Sequence, residues 1–122
     1  MGQIKSFRDL RVWQAGMELV ELVYRLSRGF PHYEVFGLAG QLRRSAASIP
    51  SNIAEGHASE HSKEFLRYLS MAQASLAEVE THLEIAGRLG YTSTGEVEGA
   101  LQACEHLSKQ IYDDFMMTRT VI

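Results

Sequence analysis

Residues 64–90 read EFLRYLSMAQASLAEVETHLEIAGRLG, and this stretch decides the fold class. Its apolar positions advance in alternating steps of four and three without a break, at Phe65, Leu69, Ala72, Leu76, Val79, Leu83 and Ala86. A step that averages about 3.5 residues keeps these side chains on one face of an α-helix, the face along which helices pack at shallow angles. The stretch therefore predicts a long helix within a bundle.

Glycine and proline divide the rest of the chain into three further segments. The joints lie at RGFPHYE (28–34), EGHASE (55–60) and LGYTSTGE (89–96). The second segment has helical spacing at Val35, Leu38, Leu42, Ala46, Ile49 and Ile53, and the fourth has it at Val97, Leu101, Cys104, Ser108, Ile111 and Phe115. No segment shows the two-residue alternation of a half-buried strand. We predict an all-α fold, an antiparallel up-and-down four-helix bundle that forms a single domain over residues 1–122.

The stretch SIPSNIAEG (48–56) places a proline inside the second helical segment. Because proline lacks an N–H, the carbonyl of Ala46 loses its helical partner and the axis bends. Two structures fit: one helix kinked near Pro50, or a break followed by a new helix that Asn52 and Glu55 cap. We favour the kinked helix, because the apolar spacing of the segment continues across the proline without a change of phase.

The first segment carries more apolar surface than a lone bundle can bury. Its polar residues form one narrow stripe, at Arg11, Gln14, Glu18, Glu21, Arg25 and Arg28. Nearly all its other positions are apolar or small, whereas a bundle helix needs a single apolar face of about 100°. Either the helix lies deep beneath its neighbours, for which four helices provide no second layer, or it packs against another copy. We predict self-association, through Val12, Trp13, Leu19 and Val23.

Composition excludes several classes of protein. A single cysteine among 122 residues cannot form a disulfide framework within the chain. No apolar run approaches the roughly 18 residues that span a bilayer, and no signal-peptide pattern opens the chain, so we expect a cytoplasmic protein without a membrane partner. The N-terminal MGQIKS fits an acylation pattern at Gly2, but so short a pattern often matches by chance.

Charge is acidic overall and unevenly distributed. The net charge is −3, with +3 in residues 1–48 and −6 in residues 49–122. An acidic balance argues against a general nucleic-acid coat, although one face could still be basic. The candidates for phosphate contacts lie on the second and third helices: Arg43, Arg44, Lys63 and Arg67. Alternatively these cations pair with nearby acids, namely Glu55, Glu60 or Glu64.

Candidate catalytic and metal-binding patterns are weak. HASEH (57–61) matches the H-x-x-E-H pattern of zinc peptidases, but Gly56 and Ser59 place it at a turn, and no third ligand suggests itself. Cys104 lies on the apolar stripe of the fourth helix, where a small core residue is expected rather than a reactive thiol. The chain contains no nucleophile with a neighbouring base and no phosphate-binding loop. We predict a protein that is not an enzyme and that holds no cofactor or metal.

The run FGLAGQLRRSAASIPSNIAEG (36–56) resembles the small proteins encoded within intervening sequences of 23S ribosomal RNA genes. FPHYE (30–34) before it and EFLRYLSMAQASLAEVETHLEIAGRLGY (64–91) after it belong to the same resemblance, as does the opening FRDLRVWQAGMELVELVYRLSRGFP (7–31). The resemblance covers residues 7–91. The last helix is similar to that of the family only in its general character and not in specific motifs. It implies a bacterial four-helix bundle that assembles as a ring, commonly a homopentamer, and it brings no defined activity.

More distantly, the chain resembles the accessory variability determinant proteins of diversity-generating retroelements. Those proteins share the bundle and the ring assembly, and they interact with a reverse transcriptase and nucleic acid. They are strongly basic, whereas this chain is not. Two hypotheses follow. The protein is an oligomeric interaction or adaptor module, or it is a nucleic-acid-binding accessory factor that uses the basic residues of helices two and three.

Overall fold

A computed structural model describes residues 4–121 of the chain, so Gly2 and its acylation pattern lie outside the described residues. The four α-helices are α1 (Arg11–Ser27), α2 (Leu38–Ala58), α3 (Ser62–Arg88) and α4 (Thr94–Thr120). Short 3-10 turns at Phe7–Asp9 and His32–Glu34 precede α1 and α2. No strand occurs between residues 4 and 121. The predicted all-α fold is confirmed.

The helices occupy the corners of a square. Each helix packs against the next one along the chain, α4 returns to α1, and the diagonal pairs make no contact within the described range. Consecutive helices run antiparallel: Ser48 of α2 bonds to Ser75 of α3, while Gly56, further along α2, contacts Tyr68, earlier in α3. Of the four seams between neighbouring helices, the α2–α3 seam is the most extensive and the α1–α4 seam the least.

One core cluster draws apolar side chains from all four helices. The positions that predicted α3 face inwards, with Phe65 half-buried and the other six buried. In α4 the core also takes Ala100 and Leu107, which the predicted stripe missed. Val35 differs from the prediction because α2 begins only at Leu38, so Val35 lies in the connection and is exposed.

Helix α2 continues through Pro50 without interruption. The alternative of a break and a new helix capped at Asn52 is therefore wrong. Pro50 is buried and faces α1, where a Cβ on Gly16 would lie 3.5 Å from the proline Cβ. Gly16 of α1 therefore lies directly against the position at which α2 lacks a backbone hydrogen bond, with room for a methyl group in ordinary contact.

Hydrogen bonds join the two connections at one end of the bundle. Glu34 Oε1 accepts a bond from the backbone N–H of Leu38 at 3.0 Å, which caps the start of α2, and Oε2 accepts one from the Tyr91 hydroxyl at 2.8 Å. These two bonds hold the pKa of Glu34 below its usual range. Tyr91 follows Gly90, whose φ of 74° belongs to the left-handed region that glycine favours and ends α3.

The opposite end of the bundle has a three-residue turn between α2 and α3. The predicted joint at 55–60 is displaced, because α2 continues through Gly56 to Ala58. Glu60 takes a φ of 61° to reverse the chain, and α3 begins at Ser62. A short turn here is consistent with the close packing of α2 against α3.

Candidate interaction surfaces

Three of the four residues predicted for the interface lie inside the bundle. Val12, Leu19 and Val23 have at most 2% of their surface exposed and pack in the core of their own chain. The choice of these three residues must therefore be corrected, because their side chains offer no surface to a second copy. Trp13 is half-buried and remains on the outside of α1.

A different stripe of α1 carries its spare apolar surface. Trp13, Met17, Val20 and Tyr24 follow one another in steps of four, three and four, so they share one side of the helix. Met17 is 37% exposed and Tyr24 42% exposed. The Tyr24 ring lies 5.1 Å beneath the Arg43 guanidinium of α2, which places this stripe on the side of α1 nearest α2.

Helix α2 continues the same surface with small side chains. Pro50 and Arg43 face α1, and the helical period then places Ala47, Ser51 and Ala54 on the outer side of that contact. All three are exposed or half-buried. We call the surface formed by these three residues and the α1 stripe the α1–α2 face. It is apolar and shallow.

The connection between α1 and α2 exposes two aromatic side chains. Phe36 is 94% exposed, and Tyr33 is exposed as well, although its hydroxyl lies 3.3 Å from that of Tyr91. Burial of a phenylalanine side chain stabilises a protein by about 1.5–3 kcal/mol relative to leaving it in water. Phe36 does not gain this stabilisation in the single chain, because 94% of its surface is exposed. Val35 is exposed in the same segment, and several exposed apolar side chains close together are characteristic of an interaction surface.

An open groove lies between α1 and α4. It comprises two adjoining cavities of about 370 and 390 Å³ that share Leu22 and Arg25. Along α4 the groove is lined by Gly95, Gly99 and Ala103, in steps of four, and a Cβ on either glycine would have no atom within 4 Å. We call this the α1–α4 groove. These small residues follow one another in steps of four in the sequence, but the predicted apolar stripe of the fourth helix does not include them.

The four predicted basic residues differ in their surroundings. Arg43 is partly buried, donates from Nε to Ser27 Oγ at 2.8 Å and lies over Tyr24. Arg67 pairs with Glu64 at 2.9 Å, and this carboxylate raises the pKa of Arg67. Arg44 and Lys63 are exposed and form no ion pair with another residue in the described part of the chain.

The structure also separates these basic residues into two pairs. Ser48 faces Ser75 and Gly56 faces Tyr68. Arg67 therefore lies near the level of Gly56, twelve residues from Arg44, which at the helical rise corresponds to about 18 Å along the axis. The predicted residues do not form one continuous basic surface.

The seam between α3 and α4 opens outwards into an acidic cavity. It has a volume of about 550 Å³ and is lined by Glu80, Glu84, Glu98 and Glu105 among others. Partial burial, followed by the nearby charges of Glu84 and Glu105, raises the pKa of Glu80. Between residues 4 and 121 no group of three or more His, Cys, Asp or Glu side chains is placed to hold a metal ion.

The residues of the HASEH pattern and Cys104, which were the remaining candidates for catalysis or metal binding, lie in surroundings that suit a structural role. His57 lies near the end of α2 with its ring 6.3 Å from that of Phe65, and His61 is the residue at which α3 is capped. Cys104 is fully buried, and burial raises the pKa of its thiol to about 12. A thiol with so high a pKa stays protonated at neutral pH and is a poor nucleophile.

Comparison with protein families identifies the fold. The model of the 23S rRNA-intervening sequence protein family matches residues 8–113. The chain belongs to this family. The match continues into α4 and so covers more of the chain than the resemblance at residues 7–91 indicated. A search of curated proteins finds no match.

A solved structure from the S23 ribosomal protein family shares the fold of this intervening-sequence protein. It is a Bacteroides thetaiotaomicron protein of unknown function, with a TM-score of 0.77 and 22% sequence identity, and the alignment covers 86% of this chain and 95% of that one. The family name brings no enzymatic activity with it. The more distant resemblance to retroelement accessory proteins stays a prediction. None of the helices in residues 4–121 has the length and apolar character that crossing a membrane requires.

Proposed function

We propose that this intervening-sequence protein is a non-enzymatic interaction module that assembles with copies of itself. Its partner in the first instance is a second copy of the same chain, and a ring of such copies presents a repeated surface to other proteins. Five subunits is the number that the family resemblance implies. The role of the assembly is to bring partners together rather than to transform a substrate.

The α1–α2 face is the observation that carries this proposal. It combines an aromatic and a flexible side chain, Tyr24 and Met17, with small residues of α2 that allow close approach. Aromatic residues and methionine are enriched where proteins bind each other. The highly exposed Phe36 in the α1–α2 connection adds apolar surface of the kind that partners cover.

Nucleic-acid binding is the alternative function. Exposure of Arg44 and Lys63, without ion pairs among the described residues, supports it. The separation of Arg44 from Arg67, the acidic net charge and the pairing of Arg67 with Glu64 count against it. Phosphate contacts dominate nucleic-acid affinity, so a divided basic surface on an acidic protein favours the interaction module.

Light scattering of the purified protein tests self-association directly. The wild type is expected to have a mass several times that of one chain, and Met17→Glu is expected to reduce it to the mass of a monomer, because a charge would be buried in the interface. Met71→Glu is the matched control, since Met71 on α3 is 41% exposed and lies outside the α1–α2 face. A monomeric wild type would contradict the proposal.

The same measurement with a short structured RNA separates the two functions. The interaction module predicts an unchanged mass at both low and physiological salt. Nucleic-acid binding predicts a complex whose affinity falls steeply with salt, and which the double variant Arg44→Gln, Lys63→Gln weakens. If this complex forms and the double variant weakens it, the nucleic-acid function replaces the proposed one.

A further inference from the structure

The end of the bundle at which α1 and α3 finish exposes a further group of apolar side chains. Val35 and Phe36 project from the connection between α1 and α2, and Tyr33 is exposed beside them. Near the end of α3, Leu89 is 55% exposed, and Ile85 lies one turn before it on the same side of the helix. We call this surface the end patch, and it comprises Tyr33, Val35, Phe36, Ile85 and Leu89.

The two segments that form the end patch lie against each other. The Tyr33 hydroxyl lies 3.3 Å from the hydroxyl of Tyr91, which follows Leu89 by two residues. Ser75 faces α2, and Leu89 follows Ser75 by about four helical turns, so Leu89 lies on the side of α3 nearest α2. The end patch is therefore one surface that spans the α1–α2 connection and the adjoining edge of α3.

Arginines without ion pairs border the end patch. Arg88 lies in the last turn of α3, and Arg28 directly follows α1. Arg44 lies beside Val35, since a Cβ on Gly40 would lie 2.6 Å from the Val35 carbonyl oxygen and 3.3 Å from a guanidinium nitrogen of Arg44. All three arginines are exposed, and none forms an ion pair within the described residues.

The carboxylates near the end patch are hydrogen-bonded or face other surfaces. The Glu34 carboxylate accepts a hydrogen bond at each of its two oxygens. Glu84 and Glu98 line the acidic cavity between α3 and α4. Glu78 lines an open cavity together with Arg44 but forms no ion pair with it. The border of the end patch is therefore basic, although the net charge of the protein is −3.

This combination of apolar and basic groups favours an acidic, apolar protein segment as the occupant. Tyrosine and arginine are enriched among the residues that dominate binding between proteins. Nucleic acid would stack its bases on aromatic rings but would leave the aliphatic Val35, Ile85 and Leu89 without apolar contacts. A second copy docked patch to patch would bring arginines together, which is unfavourable.

We propose that the end patch binds a segment of another protein in which aspartate or glutamate flanks large apolar side chains. The apolar side chains of that segment cover Phe36 and Leu89, and its carboxylates pair with Arg44 and Arg88. This inference rests on the proposed role as an interaction module and supplies the chemistry of the partner. It uses a surface other than the α1–α2 face, so each copy in an assembly presents one such patch.

Selection from a displayed library of random peptides tests the chemistry of the partner. The wild-type protein is the target and Phe36→Ser the counter-target, because Phe36 is almost fully exposed and its replacement leaves the core intact. Peptides that bind the wild type but not the variant are expected to combine leucine, phenylalanine or tryptophan with aspartate and glutamate. Enrichment of peptides rich in lysine and arginine would overturn the inference, as would the absence of any peptide that depends on Phe36.

Fluorescence anisotropy with one labelled synthetic peptide from this selection locates the contact. Leu89→Ser, which plays no part in the selection, is expected to weaken binding about tenfold. Arg88→Gln should weaken it severalfold and make the affinity less dependent on salt. Circular dichroism checks that both variants fold.

Two exposed residues outside the end patch supply matched controls. Met71→Ser removes an exposed apolar side chain from α3, and Arg119→Gln removes an exposed arginine near the end of α4, at the opposite end of the bundle. Both are expected to leave the affinity unchanged. Losses as large as those of Leu89→Ser and Arg88→Gln would overturn the end patch as the binding surface.

Light scattering separates this inference from the proposed function. Phe36→Ser is expected to keep the oligomeric mass of the wild type, and a lower mass would overturn the inference, because copies of the chain would then cover the end patch. A monomeric wild type that still binds the selected peptides contradicts the proposed self-association but supports the end patch. Binding of a structured RNA that Phe36→Ser abolishes would make nucleic acid the occupant and overturn the inference.

Discussion

Gly56 in α2 and Gly99 in α4 both lie within long helices, yet their surroundings are opposite. A Cβ on Gly56 would lie 2.6 Å from Tyr68 Cβ, too close for any side chain, whereas a Cβ on Gly99 would have no atom within 4 Å. One glycine closes the α2–α3 seam, and the other lines the open α1–α4 groove. A glycine within a helix therefore marks close helix packing only where a neighbouring residue occupies the space beside it.

The closed seam should respond most strongly to loss of core volume. Leu42→Ala removes a fully buried side chain of α2 and is expected to lower the free energy of unfolding by about 2–5 kcal/mol. Leu22→Ala, at a half-buried position beside the α1–α4 groove, should cost about 1 kcal/mol, because part of that side chain already faces water.

Urea unfolding measures both effects, in the Met17→Glu background so that assembly does not contribute. Equal losses for the two leucines would contradict the contrast between a closed and an open seam.

Alanine at the two glycines should change stability in opposite directions. Gly56→Ala is expected to lower the free energy of unfolding by about 1–3 kcal/mol, because the new Cβ forces α2 away from Tyr68. Gly99→Ala should raise it by up to about 1 kcal/mol, since alanine favours the helix and nothing opposes its Cβ. Thermal unfolding of the two variants in the same monomeric background measures the sign of each change in stability, and two changes of the same sign would contradict the opposite surroundings of the two glycines.

Polar contacts within the closed seam should matter less than its packing. The Ser48 hydroxyl lies 2.6 Å from the Ser75 hydroxyl and 2.7 Å from the Ser45 carbonyl oxygen. Ser48→Ala is expected to cost about 1 kcal/mol in urea unfolding, the net value of a typical hydrogen bond in a protein. Ser51→Ala is the control when both variants are made in the monomeric Met17→Glu background, since Ser51 is exposed on the other side of α2 and should then change stability little. A loss at Ser48 as large as that of Leu42→Ala would mean that polar contacts dominate this seam.

The acidic cavity between α3 and α4 should give the smallest effect, and one that depends on pH. The pKa of Glu80 is raised, so its ionised form is less favourable in the folded protein than in the unfolded chain. This destabilisation is absent below the ordinary pKa of 4.5 and grows as the pH rises through the raised value. Glu80→Gln is therefore expected to raise the melting temperature slightly at neutral pH and to leave it unchanged in acid. Glu78→Gln, at an exposed site of the same helix, is the control. A larger gain in acid than at neutral pH would contradict the direction of the shift.

Periodicity predicted the fold well where each helix has one apolar face. In α3 the steps of four and three identified six buried positions. Polar residues occupy the other side of this helix, so the pattern indicates a single face for the core. In α2 the apolar spacing across Pro50 correctly favoured a helix that continues past the proline over a break and a new helix. These features depend on local patterns, which a single sequence contains.

The interface residues are harder to predict because α1 is apolar on most of its surface. Val12, Leu19 and Val23 fit a core face as well as an outer face, and the sequence gives no direction from which α2 approaches. Gly16, which lies opposite Pro50, is a small residue on the side of α1 that faces α2. The separation of Arg44 from Arg67 depends on the register of two antiparallel helices, which neither sequence segment specifies alone.

Trp13 gives the α1–α2 face an optical property of its own. It is the only tryptophan in the chain, and it lies half-buried at one end of that face with its ring 5.4 Å from the ring of Phe7. Indole emission moves to shorter wavelength when water leaves its surroundings, and no other indole contributes to the signal. The intrinsic fluorescence of the unlabelled protein therefore reports on whether this one surface is wet or covered, at any concentration and in any mixture with an unlabelled partner that lacks tryptophan.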